Sequence, residues 1–400
     1  MRVSTPAAAT ALHLAYIDPY PVPALTPSAM QILQMADALA AAGAELSLVT
    51  PAPRMDALAV LGRTTHPRLQ RIPLLDIRKR WFFPFSTHRI FFLQALAWIR
   101  RHRPQAIFVR NLKFAAWLLP KVKGIPVYFE THELFAQTFR EEHPGKMTRT
   151  QQRKFDLLEQ REAAVYRGVS GLFALTEALA EDIRQRYEVA TPITVLPDGV
   201  DTEALAPALA ASAPAEGGRP PRILYLGSLH PWKGVDVLVR AMAELVGGEL
   251  WIAGGETVRI EHLKALAATL GCGDRVRFLG KVPPPDRFCL IGQCDICALP
   301  LSTTSIGSRY TSPLKLFEYM GMGKPIIASD LPSLREVIRH AENGWLVEAE
   351  NPAALAAGIA ELLADPARAA AMGAQAAADA ADYSWFNRAK RVLQTMVKPA

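Results

Sequence analysis

The residues best placed to do chemistry lie in Thr311–Val337, TSPLKLFEYMGMGKPIIASDLPSLREV. Ser312 has a capping hydroxyl and Pro313 suits a first helical position, so a helix is predicted to begin here. Free N–H groups at Ser312, Leu314 and Lys315 would make that end electropositive, and the Lys315 ammonium adds a full charge. Such an end attracts phosphate. Glu318 lies three residues further on the same helical face and is suited to accept a ribose or sugar hydroxyl. The alternative is an ordinary capped helix with an intrahelical Lys–Glu pair.

Other candidates fall at the ends of apolar runs. Gly227-Ser228 closes RILYL, and Lys233-Gly234 precedes the next helical pattern. Glycine lets the backbone approach a ligand, and lysine can neutralise a diphosphate. Neither GxGxxG nor GxxxxGK[ST] occurs at these turns. Glu130, His132 and Glu133 follow VYFE, which leaves either a site histidine between acids or a structural one. Cys294 and Cys297 have CxxC spacing, but with no second pair or His cluster they read as core thiols. The four cysteines fit a reducing cytosol.

The elements that must position these residues alternate along the chain. Its 400 residues, half of them hydrophobic, suggest two domains with sizeable cores. No uncharged 18-residue apolar run exists, so no membrane-spanning helix is expected. TALHLAYI reads as a first buried strand rather than a signal peptide, because Asp18 and prolines follow. ELSLVT, AIFVR, VYFE and GLFALT are further strands, with helices predicted from Thr26-Pro27, around Lys113–Leu119, over Thr148–Tyr166 and from Thr176. ITVLPDGVDTEAL ends this half, and APALAASAPAEGGRPPR reads as a linker. The alternation then restarts with RILYLGSL, ELWIAGG, RVRFLG, ICALPL, PIIASD and WLVE as strands. The fold class is therefore α/β, two Rossmann-like doubly wound parallel sheets, with ligands expected in a cleft beyond the strand C-termini.

Charge is uneven. Residues 1–200 carry 25 Lys and Arg against 17 Asp and Glu, within a net charge of +7 for the whole chain. Between Arg63 and Arg103 ten basic residues meet one acid, Asp76, interleaved with Trp81, Phe82, Phe83, Phe85, Phe91, Phe92 and Trp98. Residues 63–103 thus suit an anionic membrane surface or a lipid-linked substrate. The alternative is a helix with aromatics in the core and arginines in water. Nucleic acid is not expected, because no recognition motif accompanies the patch.

Taken together, GSLHPWKGVDVLVRAM, LWIAGG, RVRFLGKV, CALPL, SPLKLFEYMGMGKPIIASDLPSLREV and LPDGVDTEAL resemble glycosyltransferase family 4, the retaining glycosyl transferases group 1. The resemblance covers the second half in order and the first half more weakly. It implies a GT-B fold, with residues 1–204 as an acceptor domain, 205–221 as linker, 222–383 as nucleotide-sugar domain and helix 384–398 packing back on the first. It implies Lys233 at the donor diphosphate, Glu318 at the ribose and Ser312, Pro313, Leu314 and Lys315 along sugar and phosphate. Lys281 and Val282 would line the base pocket, with Gly227 and Ser228 beside the donor and His132 approaching its sugar. His132, Lys233 and Glu318 are the implied catalytic residues.

The departures are local. Tyr310 stands where the family carries the first of two glutamates, Ser228 replaces an arginine, and DPYPVPALTPS replaces a glycine-rich loop. Arg309 and Lys315 are expected to restore the lost positive charge. The implied activity is metal-independent, cofactor-free transfer of a hexosyl group, with retention, from a UDP- or GDP-sugar to a glycan or lipid-linked acceptor in envelope or exopolysaccharide synthesis. It would act in the cytoplasm or peripherally on the inner membrane face. A sugar-nucleotide 2-epimerase of the same architecture, or a non-catalytic sugar-nucleotide binder, are the alternatives.

Overall fold

Thirteen short apolar runs become strands, each followed by a helix or loop that returns the chain to the same edge. In the computed structural model, which describes residues 11–76, 87–211 and 218–397, they are β1 His13–Ile17, β2 Glu45–Pro51, β3 Leu69–Leu74, β4 Ala106–Val109, β5 Val127–Thr131, β6 Gly171–Ala174 and β7 Ile193–Val195. The second set is β8 Arg222–Leu226, β9 Glu249–Ala253, β10 Val276–Gly280, β11 Ile296–Leu299, β12 Ile326–Ser329 and β13 Trp345–Val347. All pair in parallel. The sheets run β3-β2-β1-β4-β5-β6-β7 and β10-β9-β8-β11-β12-β13. Each order reverses direction once, between β1 and β4 and between β8 and β11. Crevices open at such points beyond the strand ends.

The central strands are buried on both faces, as continuous apolar runs in parallel sheets require. Helix starts follow local chemistry. Thr26 accepts from the Ala29 N–H ahead of Pro27, Thr176 accepts from Leu179, and Thr148 with Gln151 forms a reciprocal capping box.

Two segments depart from the sequence reading. LQRIPL forms β3, an edge strand whose alternate residues face water and whose Pro73 is tolerated only because it lies at an edge. The alanine-rich stretch read as linker is helical over Thr202–Ala211 despite Pro207, because Leu205 and Ala208 pack into the second domain's core. Of the basic aromatic stretch, residues 77–86 lie outside the described residues. In the helix Arg89–His102, Phe91 and Phe92 are buried, while Arg100 and Arg101 face water. That part follows the core-facing alternative.

The last helix, Trp385–Val397, crosses back to the first domain and packs on Pro27–Ala41, with Trp385, Ala389 and Val392 in its core. The crossing is tied by Val200 N–H to Tyr383 O (2.8 Å) and Trp385 N–H to Val200 O (3.2 Å). Gly199 sits in the crossing so closely that a Cβ would lie 2.5 Å from Tyr383 O. No helix among the described residues is long and apolar enough to cross a membrane.

Candidate functional site

Both crevices face the same seam between the domains. In the first, β1 delivers Asp18, β4 delivers Arg110 and β5 delivers Glu130 and His132 just past their paired positions. Asp18, Arg110 and His132, with Ser28, Asn111, Glu133 and Phe135, line a cavity of about 160 Å³. His132 Nε2 lies 2.7 Å from Glu130 Oε1 and its Nδ1 lies 3.2 Å from Arg110 Nη2. A carboxylate beside Nε2 places the proton there, so Nδ1 accepts from the guanidinium. Burial, reinforced by Arg110, draws the His132 pKa down to about 4, against the pull of Glu130. Burial opposes ionisation of Glu130 as well, but Arg388 and His132 hold its carboxyl well below the usual range. His132 is therefore a neutral, fully oriented ring with neither nitrogen free to act as a base at neutral pH.

The network extends to the seam. Arg110 also donates to Gln31 Oε1 (3.1 Å), and Gln31 Nε2 donates to Asp198 Oδ2 (2.5 Å). Asp198 is 1% exposed, its Oδ1 has no partner among the described residues, and burial raises its pKa to about 7. Its backbone N–H donates to Ser312 Oγ (2.8 Å).

Ser312 therefore does not cap the helix as its position suggested. The helix is Leu314–Gly321, Pro313 occupies the cap position without a side-chain cap, and the Ser312 hydroxyl is turned to the other domain. The first N–H groups of this helix have no intrahelical partners. Its Tyr319 hydroxyl accepts from the Leu226 N–H (3.1 Å), fixing the helix to the end of β8, next to Gly227 and Ser228. Lys233 closes a single 3-10 turn, Pro231–Lys233, and Gly234 at φ 67° completes it. A Cβ on Gly234 would fall 1.6 Å from Pro300 O, so only glycine lets this loop sit against the end of β11.

Lys233 Nζ lies 3.9 Å from the Trp232 ring centroid and has no carboxylate within ion-pairing reach among the described residues. Desolvation, and after it the nearby Lys315 charge, lower its pKa to about 7. Lys315 bonds Glu318 Oε2 (2.5 Å), while Arg287 Nε bonds Oε1 (2.9 Å). Glu318 is 3% exposed; burial resists its charge, but Lys315 and Arg287 hold the pKa below normal. Both its oxygens are engaged, so the intrahelical pair offered as the alternative is formed. Arg287 Nη2 is buried without a partner among the described residues.

Two expected donor residues point elsewhere. Arg309 bonds Asp182 through Nε (3.0 Å) and Nη2 (2.6 Å), and the Tyr310 hydroxyl donates to the same carboxylate (2.9 Å). Tyr310 is buried in the first domain's core. Arg309 therefore does not restore charge at the donor pocket. Both residues sit on a π-helical turn, Ile306–Tyr310, which aims them across the seam. Thr176 Oγ1 donates to Arg309 O (2.5 Å), and the Glu336 carboxylate accepts from the N–H groups of Glu177 (2.9 Å) and Ala178 (3.3 Å). Lys281 is exposed and pairs with Glu256 at 2.9 Å; Val282 is half-buried at the second core.

The structure thus gathers Gly227, Ser228, Lys233, Ser312, Leu314, Lys315 and Glu318 at one crevice and His132 at the other. Arg287, Arg110, Gln31, Asp198 and Arg388 were missed. Their partners are distant in sequence, and no spacing marks them. The CxxC thiols Cys294 and Cys297 are buried, and no group of three or more metal-ligating side chains occurs among the described residues.

Comparison with known proteins gives the family and the fold. A model described as Glycosyl transferases group 1 matches residues 220–365, and one described as Glycosyltransferase Family 4 matches 28–204. A D-inositol 3-phosphate glycosyltransferase of Nocardia farcinica is 33% identical over 233 residues, 54% of this chain; the match spans 50% of that relative's length. One from Xylanimonas cellulosilytica is 30% identical over 300 residues, 70% of this chain and 68% of the relative. Sucrose-phosphate synthase from Thermosynechococcus elongatus superposes with a TM-score of 0.76 at 22% identity, over 95% of this chain and 97% of that one, which establishes the GT-B fold.

Proposed function

Because the chain belongs to glycosyltransferase family 4, the group 1 glycosyl transferases, we propose that it moves a sugar from a nucleoside-diphosphate sugar to an acceptor hydroxyl with retention and without a metal. The observation that carries this reading is the meeting of Lys233 and Lys315 at the start of helix Leu314–Gly321, with Glu318 already engaged and no anion opposite Lys233. A half-buried cation without a counter-charge, as at Lys233, is costly, and a diphosphate would supply it.

In the proposed step the bond between the anomeric carbon and the phosphate oxygen breaks as the acceptor oxygen bonds the same face. The acceptor proton passes to the departing phosphate. Lys233, Lys315 and the helix N–H groups take up the charge that develops on that phosphate. His132, neutral and locked, serves as a wall that orients the sugar. A phosphate base suits this geometry better than a protein base, since both His132 nitrogens are occupied.

UDP- or GDP-sugars are the proposed donors, and a glycan or lipid-linked hydroxyl of envelope or exopolysaccharide synthesis the proposed acceptor. Exposed Arg100, Arg101 and Arg103, with exposed Leu93 on the same helix and Leu75 bonded to its Gln94, support docking on anionic lipid at the inner face of the membrane. The test is direct. A thermal-shift screen against UDP-, GDP- and ADP-sugars should single out one base, and transfer with that donor should persist in chelator. Loss of all transfer in chelator sinks the metal-free mechanism; no stabilisation by any of these donors sinks the donor assignment. Flotation with phosphatidylglycerol vesicles but not with phosphatidylcholine checks the surface.

A further inference from the structure

The last helix carries a charge that its packing does not require. Arg388 is 4% exposed, and its guanidinium is directed wholly into the first domain. Nε donates to Pro197 O (2.9 Å), Nη2 to Glu130 Oε2 (2.7 Å) and Leu196 O (3.2 Å), and Nη1 lies 3.0 Å from Met35 Sδ. An aliphatic residue would fill this place without the desolvation cost of a buried charge. What the guanidinium adds is reach. Glu130 offers its second oxygen to His132 Nε2, and the Leu196-Pro197 main chain runs directly into Asp198, whose N–H meets Ser312.

We infer that Arg388 is a positioning residue of the cleft, fixing the plane and tautomer of His132 through Glu130 and the interdomain contact at Ser312 through the carbonyls of Leu196 and Pro197. What the cleft is used for rests on the transferase reading; the relay itself is independent of it. Among the described residues none from 385 onward lines the first cavity, so besides its packing on Pro27–Ala41 the last helix reaches the cavity through this relay. The fork of arginine matters here, since one lysine nitrogen cannot serve the carboxylate and both carbonyls in this geometry.

The charged groups around the His132 ring are Arg110 from the end of β4, Glu130 from β5 and Arg388 from the last helix. Asp18 and Glu133 line the same cavity, and Asp198 adjoins through Gln31. Arg388 balances Glu130, so its removal leaves that carboxylate acting on the histidine alone. His132 should then bind a proton at higher pH.

The experiment follows the imidazole nitrogens of ¹⁵N-labelled full-length protein by NMR across pH 4–8. In the parent His132 should stay in the Nε2–H form down to the acid end. Arg388→Gln should raise its titration midpoint by about one pH unit or more. An unmoved midpoint in the folded variant overturns the relay. Arg388→Lys keeps the charge and covers the case in which Arg388→Gln does not fold. It should titrate like the parent while its KM for donor rises severalfold, because the two carbonyls lose their fork. A parent-like KM in that variant overturns the Ser312 arm. Should the midpoint move as expected while no sugar nucleotide is ever turned over, the transferase reading fails and the relay stands.

Discussion

The two crevices are built from the same topology and filled with opposite electrostatics. At the switch between β1 and β4, cations and carboxylates alternate through direct contacts, Arg110 to His132 to Glu130 to Arg388, and the histidine is held neutral. At the switch between β8 and β11, Lys315 and Arg287 share the Glu318 carboxylate, and Lys233 has no carboxylate partner among the described residues. In the first pocket the charges of Arg110, Glu130 and Arg388 already offset one another. The second leaves Lys233 without a counter-charge among the described residues, which the proposed diphosphate would supply. The proposed division between acceptor and donor sides rests on this contrast in charge.

That contrast is most sharply tested at Glu318. Glu318→Gln leaves Arg287 and Lys315 buried without their counter-charge and should cost about 3–5 kcal/mol of stability. Urea denaturation would show the midpoint falling with an unchanged slope. A loss below about 1 kcal/mol would mean that water or another group already balances the second crevice.

Lys233→Ala should act on turnover instead. The expected drop in kcat/KM is roughly 10²- to 10³-fold, as for loss of one donor to a developing oxyanion. Stability should hold or rise, because a buried charge with no counter-ion is removed. A variant that turns over normally would erase the distinction between the crevices.

The pH dependence has a definite sign. Free Lys233 titrates near 7, below its ordinary value, so at pH 8 most molecules carry it neutral. A bound diphosphate favours the charged form, so binding takes up a proton and affinity weakens as pH rises through and above 7. Calorimetry at pH 8 in two buffers of different ionisation enthalpy should show uptake approaching one proton in the parent and none from this group in Lys233→Ala. Equal heats in the parent would contradict the assignment.

The smallest effect belongs to the seam. Tyr310→Phe removes one hydrogen bond to Asp182 and should cost about 1 kcal/mol, leaving donor affinity within twofold. A hundredfold loss of donor affinity would return Tyr310 and Arg309 to the proposed donor pocket.

What local sequence determined is clear from particular elements. Apolar runs such as AIFV and ICAL could only be buried parallel strands, and Thr26-Pro27, Thr148 and Thr176 fixed helix starts by capping that acts within four residues. Lys233-Gly234 and the SPLK start were visible because a strand end followed by glycine or a helix start is itself an anion-binding shape. Tertiary structure decided what those side chains face. Ser312 could cap or reach outward, and the neighbouring domain's Asp198 N–H settled it. Glu318 became an anchor because Arg287, 31 residues away along the chain, arrives beside it. Arg309 and Tyr310 left the donor pocket because a π-helical turn aims them at Asp182. Arg388 meets Glu130 across 258 residues. Capping and periodicity are short-range and are written in neighbouring residues, whereas the pairing of buried charges depends on which strands the fold sets side by side.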